Sequence, residues 1–217
     1  MDTPLIEAIR DVWRQDRGNY ETKINEFRIS SVAYCSRKLY YDKTTPKDER
    51  FEYTNKTLGI FAIGTAIHEY IQSYLTNNNL LLLSEGEVTF ANQDISLIGH
   101  YDLLINDPQL GLKVCDIKTC NSKAFNYRQT EASSHHKTQA NTYASILNVN
   151  FYSILYVEIE TFAMVEHEYQ TDKGLFNDVL TKLSLVYEHI QKQTLPDKIT
   201  TSWECNYCPY RKKCLEE

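Results

Sequence analysis

The sequence contains few of the residues that break regular structure, and it lacks long apolar runs. Only 7 glycines and 5 prolines occur among 217 residues, which excludes collagen-like and low-complexity chains. Apolar runs such as residues 80–83 are far shorter than the roughly 20 residues that span a bilayer, so we expect no membrane insertion. The N-terminus lacks the basic and apolar segments of a secretory signal, and we expect a cytoplasmic location.

An excess of positive charge is also absent. The chain has 29 acidic and 23 basic residues, a net charge of −6, which excludes a protein that coats nucleic acid through bulk charge. Any contact with phosphate must therefore be local. Six cysteines in a cytoplasmic chain are not expected to form disulfides. Two of them, Cys115 and Cys120, flank an apolar segment. We interpret Cys115 as a small core residue and Cys120 as a residue outside any site.

The apolar residues repeat at two different periods along the chain. Helical spacing occurs at residues 5–13, 58–75, 134–147 and 172–193, and strand patterns occur at residues 87–90, 95–105, 112–119, 151–160 and 162–170. The segment 112–119 is short and apolar between breakers, which is typical of a central strand. No repeat or linker interrupts the pattern, so we expect one α/β domain over residues 1–217.

Two predicted strands flank a turn at residues 106–111. If they pair antiparallel about residue 109, Asp102 lies opposite Asp116, and Lys118 shares the face of Asp116. Two adjacent carboxylates in a partly buried hairpin would repel each other unless a cation neutralised them, and Mg²⁺ or Mn²⁺ prefers such oxygen ligands. An ordinary ion pair between Asp102 and Lys118 on a solvated face remains the alternative at this point.

Three cysteines crowd the C-terminus, as Cys205, Cys208 and Cys214, and Cys35 lies far upstream. Their spacing indicates an inorganic centre, and both Zn²⁺ and a [4Fe–4S] cluster require a fourth ligand, for which we choose Cys35. Such a centre would be a structural clasp that closes a long loop between residues 30–60 and the tail at 195–217.

Four short motifs occur in a recognisable order: G-T-A-I-H at residues 64–68, G-H-Y-D at 99–102, D-I-K at 116–118 and Q-A-N-T-Y at 139–143. In this order and spacing the chain resembles the RecB-like nucleases of the PD-(D/E)xK superfamily. Its cysteine pattern is similar to that of the iron–sulfur branch, which includes the CRISPR-associated "Cas four" exonucleases. The resemblance spans about residues 30–214.

The resemblance implies a restriction-endonuclease-like core at residues 58–193, with a central mixed β-sheet flanked by helices. It further implies a set of metal-site residues, with Lys118 as the catalytic lysine and the following ligands to Mg²⁺ or Mn²⁺: His68, Asp102, Asp116 and the carbonyl of Ile117. A lone histidine on a helix is often a hydrogen-bonded residue at the core edge, but the position of His68 after Gly64 favours a ligand.

The Q-x3-Y pair, Gln139 and Tyr143, is implied to contact DNA or to support the metal site. Two departures from the family pattern occur: Tyr101 replaces the proline, and Asp116 rather than glutamate opens D-x-K. Both are common variations. We keep Glu87 as an additional candidate acid.

The resemblance also favours a [4Fe–4S] cluster over zinc at the four cysteines. It implies an exonuclease, often 5′ to 3′, that acts on single strands or duplex ends, with endonuclease activity as an addition. CRISPR adaptation or recombination proteins would be its partners. The alternative is a non-catalytic DNA-binding or assembly module that retains the fold.

Residues near the motifs carry weaker signals. His135 and His136 lie one helical turn before Gln139 and could face phosphate, but we interpret them as surface residues. Basic residues would converge if the cluster forms, either as a path for phosphate or as a solvated tail; they are Arg37, Lys38, Arg211, Lys212 and Lys213.

Overall fold

The fold was described from a computed structural model, which covers residues 3–15, 23–46, 53–78, 81–199 and 203–217. Parts of the predicted clasp, residues 47–52 and 200–202, lie outside the described residues. Within the described ranges, none of the helices combines the length and the apolar character needed to cross a bilayer.

A mixed six-stranded sheet occupies the middle of the described chain. Its strands are β1 Glu26–Arg28, β2 Leu81–Ala91, β3 Ser96–Asp107, β4 Gly111–Cys120, β5 Phe151–Glu158 and β6 Met164–Gln170. The order is β1-β3-β4-β5-β6, and β2 pairs with β3. Strand β4 is central, as its apolar sequence predicts, and it runs parallel to β5 and antiparallel to β3.

Helices pack on both sides of this sheet. The helices of the described chain are α1 Pro4–Gln15, α2 Ser36–Thr44, α3 Asn55–Asn77, α4 Ser122–Arg128, α5 Ser134–Ile146, α6 Lys173–Lys192 and α7 Arg211–Glu216. Side chains cap the N-termini of several helices. The Asp172 carboxylate caps α6 by accepting the Gly174 N–H at 2.7 Å, and Thr54 caps α3.

The hydrophobic core is divided by the sheet. A large cluster joins the sheet to α5 and α6 through residues such as Tyr143, Ile154 and Leu183, and a smaller cluster joins it to α3 through Ile71 and Ile117. The expected α/β architecture, a central mixed sheet flanked by helices, is confirmed. The predicted strand at residues 87–90 is longer than expected, because pairing with β3 extends it back to Leu81.

Candidate functional site

Strands β3 and β4 separate beyond the pair Leu103–Cys115, and we call this point the fork. Their ladder runs from Asp107 and Gly111 to Leu103 and Cys115, which is the predicted register about residue 109. Beyond the Leu103–Cys115 pair, the Asp102 carboxylate accepts the Ile117 N–H at 2.6 Å. A side chain thus satisfies a backbone donor where the strands separate, and it fixes Asp102 beside the residues of the D-I-K motif.

Close contact with α3 brings a histidine to this fork. A Cβ on Gly64 would lie 3.3 Å from the Thr119 hydroxyl, so the glycine lets α3 approach the end of β4. One turn later, His68 Nδ1 lies 3.6 Å from Asp102 Oδ1. Burial alone would lower the pKa of His68, but the hydrogen bond and negative charge of Asp102 raise it.

A third potential ligand comes from β2. The neighbouring pairs of the β2–β3 ladder place Glu85 opposite Asp102. One ligand atom each from His68, Glu85 and Asp102 lies within 4.8 Å of the others. Opposite ligands of Mg²⁺ are about 4.2 Å apart, because each bond is about 2.1 Å. These side chains therefore fit a divalent cation with a small adjustment.

Glu85 is held in an uncommon backbone conformation. Its φ of 50° lies in the left-handed region, which costs free energy for a residue other than glycine. Gln72, one turn after His68, donates from Nε2 to Glu85 Oε1 at 2.8 Å and stabilises its position. The candidate Glu87 instead faces His100 at 3.7 Å in an exposed pair, outside the group of ligands.

A buried ion pair lies next to this group. Asp116 is 2% exposed, and its Oδ2 is 2.9 Å from Lys118 Nζ but accepts no hydrogen bond of good geometry. Burial raises the pKa of Asp116 to about 6, despite the attraction of Lys118, and the charge of Asp102 adds to the increase. Asp116 therefore carries a carboxylate that burial disfavours and a further cation would stabilise.

The Q-x3-Y residues lie beneath the fork. Tyr143 is 2% exposed and packs on β3, where a Cβ on Gly99 would come within 2.7 Å of its hydroxyl. Gln139 hydrogen-bonds that hydroxyl, and burial followed by the charges of Asp116 and Asp102 raises the pKa of Tyr143. A side chain so buried cannot reach a DNA strand directly, so its position favours support of the site.

Three of the candidate cysteines share one neighbourhood. Cys35 is the N-cap of α2, where its sulfur accepts the Lys38 N–H at 3.4 Å. Burial raises the pKa of the Cys35 thiol, and the nearby Glu204, Cys208 and Cys205 raise it further. The cysteines are all free thiols. Within the described residues, their sulfurs are not drawn together as closely as the ligand group at the fork.

The fourth cysteine lies beside α2 because the tail docks there. Arg37 donates from Nε to the Pro196 carbonyl at 2.7 Å and from Nη1 to the Cys214 carbonyl at 3.3 Å. The same Nη1 is 3.7 Å from the Cys214 sulfur. Tyr41 donates its hydroxyl to Glu217 at 2.5 Å. Protein contacts alone thus bring the tail to α2.

These contacts change the interpretation of the basic residues. Arg37 is 8% exposed and bonded to the tail, Lys38 pairs with Asp42 at 2.7 Å, and Lys213 lies over the Tyr41 ring. The charges of these three residues are engaged within the protein, which leaves them less available to a phosphate backbone.

The interpretation of the two adjacent histidines as surface residues is wrong. Both are half-buried. His135 Nε2 lies 2.7 Å from Glu204 Oε1 and its ring packs against Trp203, while His136 Nδ1 lies 2.8 Å from the Tyr156 hydroxyl. The tail and β5 cover the start of α5, which the helical period could not reveal.

Comparisons with known protein families and solved structures found similarities to this chain. The family model of the PD-(D/E)XK nuclease superfamily matches residues 79–215. No curated protein sequence matches significantly. Among solved structures, SSO0001 is similar with a TM-score of 0.67 and 17% identity, covering 96% of this chain and 94% of that one.

Two exonuclease structures share the fold. LHK-Exo in complex with dAMP has a TM-score of 0.57 and 13% identity over 84% of this chain and 93% of its own; its source is Laribacter hongkongensis. A phage-related exonuclease from Haemophilus somnus 129PT has a TM-score of 0.52 and 13% identity, covering 85% of this chain and 97% of its own.

Proposed function

Since the chain belongs to the PD-(D/E)XK nuclease superfamily, we propose that it is a metal-dependent nuclease that hydrolyses phosphodiester bonds in DNA. The observation that carries the proposal is the group of His68, Glu85 and Asp102 beside the buried Asp116–Lys118 pair. A carboxylate kept buried with a raised pKa is costly for the fold, and such arrangements concentrate at functional sites.

The site residues have separate roles in this proposal. His68, Glu85, Asp102 and Asp116 would hold Mg²⁺ or Mn²⁺, together with the Ile117 carbonyl. When bound, the cation lowers the pKa of a water molecule and neutralises charge on the phosphate. Lys118, beside Asp116, orients the attacking water and stabilises the negative charge of the pentacovalent phosphate.

We further propose that the enzyme is an exonuclease that acts on single strands or duplex ends. The similar folds of LHK-Exo and the phage-related exonuclease support an end-directed activity. A 5′ to 3′ direction and an additional endonuclease activity follow from the resemblance to the iron–sulfur branch.

Cleavage of end-labelled DNA tests this function. In Mn²⁺, Asp116→Asn and Lys118→Met should each lower the rate at least ~10³-fold, because each removes a charge that stabilises the transition state. The exposed Asp178→Asn and Lys173→Met on α6 are matched controls and should cleave at the wild-type rate.

Each outcome of this assay has a distinct meaning. Full activity in both site variants would overturn the proposal and favour the alternative, a non-catalytic DNA-binding or assembly module. Cleavage of circular single strands would require endonuclease activity. Release of mononucleotides from a 5′ label before a 3′ label would support the 5′ to 3′ direction.

For the cysteines, we propose a [4Fe–4S] cluster held by Cys35, Cys205, Cys208 and Cys214. Four free thiols around the start of α2 suit such a cluster. Its role would be structural, because it would join α2 to the C-terminal tail and close a long loop.

Anaerobic purification with iron and sulfide analysis tests the cluster. Wild type should be brown with four irons per chain, and Cys35→Ser should lose most of them. Cys120→Ser, outside the proposed set, should retain them. A colourless protein with stoichiometric zinc would contradict the cluster.

The biological setting is part of the same proposal. A member of the iron–sulfur branch would trim DNA with CRISPR adaptation proteins, or process ends during recombination or replication. The identity of the neighbouring genes distinguishes these settings, and adjacent genes of neither kind would contradict both.

A further inference from the structure

One face of α5 carries a row of polar side chains toward the fork. His136, Gln139 and Tyr143 are three and four residues apart, so they follow one another along the helix. Tyr143 lies beneath the fork, and Gln139 hydrogen-bonds it. The row therefore runs from the buried Tyr143, which supports the site, to His136. His136 belongs to none of the nuclease motifs.

Strand pairing places His136 beside the catalytic lysine. Tyr156 on β5 pairs with Lys118 on β4 in the parallel ladder, so their side chains emerge on the same face. The Tyr156 hydroxyl is 2.8 Å from His136 Nδ1. Burial followed by the positive charges of Lys118, Arg128 and His135 lowers the pKa of His136 to about 3. Its ring is consequently neutral near pH 7.

The Tyr156 hydroxyl also determines which ring nitrogen carries the proton. Its oxygen accepts the Ser133 N–H at 3.0 Å, and Tyr156 is only 1% exposed. A buried hydroxyl proton requires an acceptor, and His136 Nδ1 is the acceptor within reach. The histidine proton must then be on Nε2, for which the described residues supply no hydrogen-bond partner.

We propose that His136 donates a hydrogen bond from Nε2 to a non-bridging oxygen of the DNA phosphate in the site, and that Tyr156 is the positioning residue that fixes this tautomer. The inference rests on the proposed nuclease function. A phosphodiester suits this donor, because its non-bridging oxygens only accept hydrogen bonds. A neutral donor also adds a contact next to Lys118 without placing a second cation there.

Kinetics with phosphorothioate DNA test the hydrogen bond. In Mn²⁺, His136→Leu should lower kcat/KM about 10²-fold, the loss typical of one donor to a developing oxyanion. His136→Gln, which keeps an N–H donor, should lose only about 10-fold. Sulfur in place of the contacted oxygen weakens the bond, so wild type should discriminate between the two diastereomers and His136→Leu should discriminate less.

If His136 had only a structural role, its replacement would not change the ratio of the cleavage rates of the two diastereomers. This ratio is therefore the decisive readout. Tyr156→Phe should reduce the rate and the discrimination together, because Nδ1 loses its donor. His189→Leu, a histidine that hydrogen-bonds Thr194 at the end of α6, is the control and should behave as wild type. A folded His136→Leu with wild-type kcat/KM and wild-type discrimination would overturn the assignment.

Failure of the nuclease proposal can be separated from failure of this one. If wild type cleaves no DNA with any divalent cation, the nuclease proposal fails, and binding of a labelled single strand in Ca²⁺ then decides the hydrogen bond. In that case His136→Leu should bind about 10-fold more weakly than wild type. Equal affinities would overturn the role of His136.

Discussion

Asp116→Asn should abolish cleavage of DNA and should also make the metal-free protein more stable. Burial raises the pKa of this carboxyl from an ordinary 3.8 to about 6, so its ionised form destabilises the native state. Asparagine has nearly the shape of the protonated side chain and carries no charge. The variant therefore retains the packing of Asp116 and loses the penalty for a buried anion.

The size of the effect follows from the pKa. One pKa unit corresponds to about 1.4 kcal/mol, so the difference between 3.8 and about 6 corresponds to ~3 kcal/mol. Below about pH 3 the group is protonated in both states and costs nothing. As the pH rises to about 6, the unfolded chain releases its proton first, so the native state becomes progressively less stable. Above that pH the penalty is constant.

Urea unfolding in EDTA measures this difference. The unfolding free energy of Asp116→Asn minus that of wild type should increase by ~3 kcal/mol between about pH 3 and about pH 7.5. For a chain of this size, that corresponds to roughly 6–12 °C in Tm. Comparing two pH values cancels effects of the substitution that do not involve ionisation, including the changed environment of Lys118.

The result that would refute this reasoning is a difference that does not change with pH. It would mean that Asp116 ionises as readily in the native state as in the unfolded chain. A second arm adds Mg²⁺ at about 100 times its Kd, which should stabilise wild type by about 2.7 kcal/mol at neutral pH and stabilise the variant much less.

The remaining predictions concern packing, charge and ligation. Gly99→Ala should destabilise the fold by about 1–3 kcal/mol in urea, because its Cβ would lie 2.7 Å from the Tyr143 hydroxyl; an unchanged midpoint would show that Tyr143 can move. Lys113 is 1% exposed and bonded to the carboxylates of Asp107 and Glu166. Lys113→Met should therefore lower the free energy of unfolding by about 3–5 kcal/mol. Equal stability of that variant would mean the carboxylates reach water. Glu85→Gln should weaken Mn²⁺ binding about 10-fold by calorimetry, and wild-type affinity would remove Glu85 from the ligands.

Some features of the site followed from local sequence. The turn at residues 106–111 fixes the register of a short hairpin, because a shift by one residue would reverse every side chain. The proximity of Asp102 and Asp116 could therefore be predicted from the sequence alone. The alternative of an exposed ion pair on a solvated face does not fit, since Asp116 is buried and its partner is Lys118.

Other members of the site depend on how longer segments pair and pack. Glu85 joins the ligand group because β2 pairs with β3 so that Glu85 lies opposite Asp102, and Gln72 of α3 donates a hydrogen bond to it. The hairpin register could have indicated Glu85, since it lies opposite Asp102, but the left-handed conformation of its backbone could not be predicted.

Periodicity and a tight turn were enough to predict the order of the main helices and strands, the central position of β4 and the hairpin that presents the D-I-K motif. The hydrogen bond between His136 and Tyr156, and the bond from Arg37 to the tail, could not be predicted in this way. These contacts join residues far apart in the chain, and their geometry and burial exist only once the helices have packed on the sheet.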